Sequence, residues 1–179
     1  MPIEFEYKYV LSKNILNQVE PWQSPHKIIT IQQGYLAIAG NMNLRVRHEM
    51  SDEDRWVTTL KQKVNGRTVE IEHEIDPEDG MLLWEVSTPK LTKTRHMFRG
   101  HCNQWMETDV FYTGEEIYFI LLEVEMGEGS LRPILPDCFK KNVIHEVGLT
   151  DNRFSNTNLA DVDYVNGLYK KLLLEYQHG

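Results

Sequence analysis

The opening run Ile3-Glu4-Phe5-Glu6-Tyr7-Lys8-Tyr9-Val10 places three charged side chains at alternate positions, with aromatic and aliphatic residues between them. Side chains on a β-strand alternate faces with period two, so this spacing puts Glu4, Glu6 and Lys8 on one face and the apolar residues on the other. The same pattern recurs in Arg45 and Arg47, Lys61 and Lys63, Glu70, Glu72 and Glu74, Lys93 and Arg95, and Glu123 and Glu125. Some of these strands present acids and others bases. Taken one at a time, such doublets are the solvent face of an amphipathic antiparallel sheet. Taken together, they describe a closed sheet whose apolar exterior packs against helices and whose interior carries charge. Eight strands suffice for a barrel that holds one ligand.

A dry interior of this kind is costly, because each isolated buried charge loses several kcal/mol of hydration. A cation and a polyanion held together relieve that cost. Glutamates supply hard oxygen ligands for Mg²⁺ or Mn²⁺, and Arg and Lys neutralise and orient phosphoryl oxygens.

The remaining chain supports this reading. Its 179 residues and 41% hydrophobic content suit one domain, residues 1–179. The formal charge of −8 argues against broad nucleic-acid or anionic-membrane binding while leaving small anionic ligands open. Cys102 and Cys138 have no zinc-type spacing and read as free thiols. No N-terminal signal pattern and no bilayer-length apolar run is evident, so a cytoplasmic protein is expected. A homodimer is compatible with the sequence.

Strands are expected at Ile3 to Leu11, Lys27 to Ile38, Leu44 to Glu49, Trp56 to Lys63 and around Glu70, then near 90 to 99, 103 to 112 and 117 to 126, with a further short one at Asn142 to Val147. Asn65-Gly66 is the strongest hairpin signal, and Gly127-Glu128-Gly129 reads as a turn. Asp76-Pro77 opens a short helix, and a final helix runs from about Asn158. Trp56, Trp84 and Trp105 are expected to pack the outer core. The histidines show no ligand spacing, and the P-loop pattern is absent.

The opening Glu4-x-Glu6-x-Lys8 resembles the ExExK signature of the CYTH superfamily, or triphosphate tunnel metalloenzymes. Gln33-Gly34-Tyr35-Leu36, Arg45-x-Arg47, Thr59-Leu60-Lys61, Glu70-x-Glu72, Lys93-x-Arg95, Trp105-x-Glu107-x-Asp109-Val110-Phe111 and Glu123-x-Glu125 follow in the family's order. Arg153-Phe154-Ser155-Asn156-x-Asn158-Leu159-Ala160 resembles its C-terminal helix entrance. The segment 145–151 and the acidic loop from Ser51 to Arg55 depart from the family pattern.

The resemblance implies a mainly β (α+β) fold: an eight-stranded antiparallel β-barrel tunnel with outer helices. It implies that Lys8, Arg45, Arg47, Lys61, Lys93 and Arg95 contact phosphate. Glu4, Glu6, Glu123 and Glu125 would be metal ligands, with Glu70 and Glu72 supporting metal or water. Catalytic roles fall to Glu6, Lys8 and Glu72, with Lys8 able to assist as a base if its pKa is lowered. The expected partner is a triphosphate-containing small molecule, most simply inorganic tripolyphosphate hydrolysed to pyrophosphate and phosphate. A class IV adenylyl cyclase, a thiamine or nucleoside triphosphatase, and a noncatalytic polyphosphate- or nucleotide-binding module are the alternatives. The charged doublets do not separate these.

Overall fold

The structure, a computed structural model, describes residues 5–64, 67–100, 104–126, 132–148 and 151–178. Glu4, the Asn65-Gly66 turn, Cys102 and the Gly127-Glu128-Gly129 turn lie outside the described residues. Nine strands lie among the described residues: β1 (Phe5–Leu11), β2 (Lys27–Ala39), β3 (Met42–Met50), β4 (Asp54–Val64), β5 (Arg67–Ile75), β6 (Lys90–Arg99), β7 (Trp105–Thr113), β8 (Glu116–Met126) and β9 (Val143–Val147). Helices α1 (Pro77–Val86), α2 (Asp137–Lys140), α3 (Asn156–Leu159) and α4 (Val162–His178) accompany them. The β1/β8, β1/β9, β2/β3, β3/β4, β4/β5 and β7/β8 pairs are all antiparallel.

The mainly β fold with a few helices is as expected, but the ring is not closed by backbone hydrogen bonds. The strand order β5-β4-β3-β2-β6-β7-β8-β1-β9 has two ends, and the short strand near Val143 forms one of them. The segment after Leu11 forms two 3₁₀ helices, Lys13–Asn17 and Glu20–Trp22. The expected final helix is divided into α3 and α4, because Ala160 and Asp161 interrupt it.

The backbone gathers into two compact units, one comprising Met1–Ile28 with Thr94–Gly179 and the other Ile29–Lys93. In the second unit, α1 covers the apolar face of the β2–β5 meander. Asp76 caps α1 by accepting from the Glu78 backbone N–H at 2.8 Å, and Pro77 at its first turn needs no donor there. The contact requires glycine: a Cβ on Gly34 of β2 would lie 2.7 Å from Ser87 Cβ and 3.2 Å from a Trp84 ring carbon. A Cβ on Gly80 would fall inside the Trp56 indole. With α1 holding that face, alternation turns Tyr35, Arg45, Thr59 and Lys61 to the other.

In the first unit, Tyr9, Leu11, Met106, Val110, Ile120, Leu122 and Val124 form a buried core with Ile15 and Phe139. These are the positions that alternate with the charged ones on β1, β7 and β8. The charged face itself changes character along β8. Glu125 and Glu123 give way to Leu121 and then Phe119, which packs against Phe154 and against Tyr169 of α4 at ring separations of 6.2 and 6.1 Å. The C-terminal helices therefore seal the apolar end of the row.

Candidate active site

Two β-bulges set the polar rows, one in each unit. In the β7/β8 hairpin, Tyr112 pairs with Ile117 but Phe111 pairs with Phe119, leaving Tyr118 as the extra residue. The slip brings Glu107 opposite Glu123; an unbulged ladder would have set Glu107 against Leu122. In β2/β3, Ala37 pairs with Leu44 but Tyr35 pairs with Arg45, with Leu36 extra. Gln33 then faces Arg47.

The row of the first unit is rich in carboxylates. Glu6 of β1 opposes Glu125 of β8, Lys8 opposes Glu123, and on the other side of β8 Glu123 opposes Glu107. Like charges directly opposed destabilise a sheet unless something of opposite sign intervenes. Two basic side chains take part of that role. Lys8 Nζ binds Glu123 and, at 2.9 Å, Glu6. Arg95 of β6 donates through Nε and Nη2 to Asp109 at 2.7 and 2.8 Å, through Nη2 to Glu123 at 3.1 Å, and through Nη1 pairs with Glu107.

The electrostatics show where compensation is incomplete. Burial, opposed by Arg95 but reinforced by Asp109, Glu125 and Glu123, pushes the Glu107 carboxyl up to about 7. Burial alone would lower Lys8, yet Glu123 and Glu6 outweigh it and hold the ammonium above its ordinary value. The condition under which Lys8 would serve as a base, a lowered pKa, is thus not met in this arrangement. For Arg95, too, burial is outweighed by Asp109, Glu123 and Glu107.

The row of the second unit carries the bases. Arg45 Nη2 binds Glu70 at 2.8 Å and lies 3.8 Å from Glu72. Lys61 Nζ lies 3.2 Å from Glu70, and Thr59 donates to Glu72 at 3.1 Å. Arg47 donates to Gln33 Oε1 through Nε and Nη2, at 3.2 and 3.1 Å, and to Glu49 at 3.1 Å. Gln33 in turn donates to the Tyr35 hydroxyl at 2.8 Å, and Arg55 holds Glu49. Lys93 is fully buried in this unit.

Arg45 is short of acceptors. Its Nε is buried without a hydrogen-bond partner. Burial, with Arg47 adding to it against Glu70, Tyr35 and Glu72, pushes its guanidinium down to about 10. A buried cation beside a like charge, with a donor to spare, is an anion-binding arrangement.

The sequence-identified residues therefore fall into two sets. Glu6, Lys8, Arg95, Glu123 and Glu125 lie in the first unit; Arg45, Arg47, Lys61, Glu70, Glu72 and Lys93 lie in the second. Within the second unit, Glu70 and Glu72 sit against the bases Arg45 and Lys61. Glu107 and Asp109, quoted in the motif but given no role, belong to the acid row, and Gln33 and Glu49 belong to the basic one. Trp105 does not pack the outer core: it opposes Glu125, with Arg99 5.2 Å from its ring and His26 at 5.3 Å. Its phase, two residues before Glu107, is the reason. Trp56 and Trp84 do lie on the α1 side.

Among the described residues, no three His, Cys, Asp or Glu side chains converge tightly enough to enclose a metal ion. The donor chemistry nevertheless fits a hard divalent cation. Glu6, Glu107, Glu123 and Glu125 are all oxygen donors on adjacent strands, and Glu107 is raised by burial first and then by its carboxylate neighbours. No helix among the described residues is long and apolar enough to cross a membrane.

Each unit is an antiparallel sheet face bearing a charged row, opposed carboxylates in the first and crowded basic side chains in the second. Two solved structures of NE1496 share this fold. One, described as an inorganic triphosphatase, is 26% identical over 89% of this chain and 95% of its own, with a TM-score of 0.61. The other, described as a hypothetical protein, is 26% identical over 88% of this chain and 97% of its own, at 0.59. HpAC1 from Hippeastrum, described as a putative adenylyl cyclase with a dominant triphosphatase activity, shares the fold at 19% identity over 69% of this chain and 80% of its own, with a TM-score of 0.51. No protein-family profile and no curated protein sequence matches. The resemblance to the CYTH, or triphosphate tunnel, type read in the motifs is borne out by these likenesses.

Proposed function

We propose that this chain is a metal-dependent triphosphatase whose preferred substrate is inorganic tripolyphosphate, released as pyrophosphate and phosphate. The observation that carries the reading is the opposition of carboxylates on both sides of β8, Glu6 to Glu125 and Glu107 to Glu123. The same register pairs Met106 and Val110 with Val124 and Ile120 in the core, but it sets like charges directly opposite one another, a cost that a bound cation offsets. The likeness to the inorganic triphosphatase NE1496 supports the same chemistry.

Glu6, Glu123 and Glu125, with Glu107 beside them and Glu4 outside the described residues, are the side chains that would hold Mg²⁺ or Mn²⁺. When bound, the ion supplies charge neutralisation of the phosphates and a lowered pKa for water. Arg45, Arg47, Lys61 and Lys93 hold phosphoryl oxygens, Arg45 through its unpartnered Nε. Gln33 and Glu49 fix the Arg47 fork. Glu70 and Glu72 hold Arg45, and Glu70 holds Lys61, in place before substrate arrives. Lys8, held protonated by Glu123 and Glu6, contributes charge to the phosphate rather than accepting a proton. Arg95 holds Asp109, Glu107 and Glu123 in position and meets phosphate from among them.

Water attacks the terminal phosphorus, the bond to the bridging oxygen breaks, and pyrophosphate leaves. One carboxylate, Glu6 or Glu72, both with side chains open to solvent, accepts the single proton that the water gives up in this scheme. The test is turnover of tripolyphosphate, ATP and thiamine triphosphate at matched subsaturating concentrations, with Mg²⁺, Mn²⁺ or a chelator, resolving phosphate, pyrophosphate and cyclic AMP. Faster tripolyphosphate hydrolysis that disappears with the chelator is expected. Preference for ATP, or efficient cyclic AMP formation, overturns the substrate ranking, and inertness toward all three overturns the triphosphatase reading.

A further inference from the structure

On the other side of β6 and β7 from the acid row, the first unit contains a pocket of about 410 Å³. Strand alternation accounts for its position: Thr94 and His96 flank Arg95, and Val110 follows Asp109, so their side chains emerge on the opposite face. Its apolar wall consists of Leu16, Trp22, Val110 and Ile117. Trp22 presents only its ring, because its indole N–H is committed to the Ile15 carbonyl at 3.1 Å.

Thr94, His96 and Tyr112 complete the lining, and among the described residues no carboxylate, lysine or arginine takes part. The Thr94 and Tyr112 hydroxyls share one hydrogen bond of 2.8 Å. A pair of hydroxyls carries two O–H donors and uses one in that bond, so the other O–H and several lone pairs remain available. Burial lowers the His96 imidazole from its ordinary value, which keeps this wall uncharged at neutral pH, and its ring meets Trp22 edge-on at 5.0 Å.

We propose that this pocket is a second binding site, for a small neutral planar molecule carrying one hydroxyl group. The volume lies in the lower range of small-molecule pockets and admits a single ring system. Apolar walls with an aromatic side chain favour a planar hydrocarbon body. The hydroxyl pair gives one polar anchor able both to donate and to accept, which is the complement of a phenolic O–H. A phosphate has no counter-charge here, so the site is chemically separate from the charged rows and does not rest on the triphosphatase reading.

The probe is phenol, with toluene as its near-isostere lacking the hydroxyl, titrated into the full chain and followed by heteronuclear NMR. Phenol should give saturable shifts centred on residues 94, 96, 110, 112 and 117, with a dissociation constant on the order of 1 mM. Toluene should bind about fivefold more weakly, the worth of one ordinary hydrogen bond. Tyr112→Phe leaves Thr94 as the sole hydroxyl of the anchor, so it should weaken phenol and leave toluene unchanged. Leu16→Trp, at the exposed rim, should weaken both. No saturation below about 10 mM, equal affinities for the two probes in the unaltered protein, or phenol binding untouched by Tyr112→Phe would each overturn the proposal.

Discussion

Glu107 and Glu123 face each other directly across β7 and β8, and both are buried. The register that opposes them depends on the bulge at Tyr118, and Arg95 is the side chain that reaches both. Arg95 is thus the guanidinium shared by a buried pair of carboxylates, and Lys8 adds a second cation at Glu123.

Glu123→Gln removes a hard anionic donor while keeping its shape. Turnover should fall by about 100-fold or more, with the Mg²⁺ or Mn²⁺ titration moved to higher concentration. Glu125→Gln should act in the same direction. Thermal melting should change little by comparison, because repulsion from Glu107 is relieved as the bond from Lys8 weakens. Near-normal turnover with an unmoved metal titration in both variants would remove them from the ligand set.

Arg45→Ala should raise the KM for tripolyphosphate by roughly 10- to 100-fold, the range expected for a charge-assisted hydrogen bond to a buried anion site. Arg45→Lys keeps the charge and loses the fork, so it should recover only part of the affinity. Glu70 offers a comparison, since Glu70→Gln leaves Arg45 and Lys61 with less counter-charge. Substrate kinetics with all three variants decide the matter, and unaltered KM in both Arg45 variants would place this side chain away from phosphate.

Period-two charge was enough to read the strands, the two signs of row and most of the residues in them. The same rule also covered Glu107 and Asp109, which lie two apart on β7. They escaped the charge reading because they entered it only as part of a family motif. Gln33 carries no charge and was invisible to such a count, although its buried amide holds Arg47 and Tyr35. Registers were less legible. The Thr113-Gly114 turn is evident, with Gly114 at a φ of +58°, but a hairpin counted outward from it without the bulge sets Glu107 against Leu122. The β1/β8 pairing joins residues 115 apart, as in the Lys8–Glu123 contact, and no local signal encodes it. The ninth strand was legible as a strand, whereas its place at the end of the order was not.

His145 gives a pH prediction for stability. Burial first, then Arg153, lowers its pKa below the ordinary 6.5, and its Nε2 is buried without a partner. A group with a depressed folded pKa binds fewer protons in the native than in the unfolded chain, so its contribution is present above pH 6.5 and is lost as pH falls through the folded value. The slope is at most about 1.4 kcal/mol per pH unit for this one proton. Urea unfolding at pH 7 and pH 5 should show a smaller acid-side loss in His145→Gln than in the unaltered chain. An identical loss in both would mean that His145 titrates alike in the folded and unfolded states.

Gly34 ties the apolar packing of the second unit to its basic row. It alternates with Gln33 and Tyr35 on β2, so the strand that must lie close to α1 also carries the side chains that hold Arg47 and face Arg45. In Gly34→Ala the new methyl group meets Ser87 Cβ at 2.7 Å and the Trp84 ring at 3.2 Å, and the Ser87 hydroxyl, bonded to the Trp84 carbonyl at 2.8 Å, has little room to yield. Overpacking of this kind costs about 1–3 kcal/mol. Relief requires β2 to move away from α1, which shifts Gln33 and Tyr35 relative to β3. The variant should therefore melt at lower temperature and also bind tripolyphosphate more weakly. Ser87→Gly removes the nearest obstructing atoms, and in the double variant both stability and KM should return most of the way. Recovery of melting temperature without recovery of KM would show that the packing of α1 and the placement of Arg47 are independent.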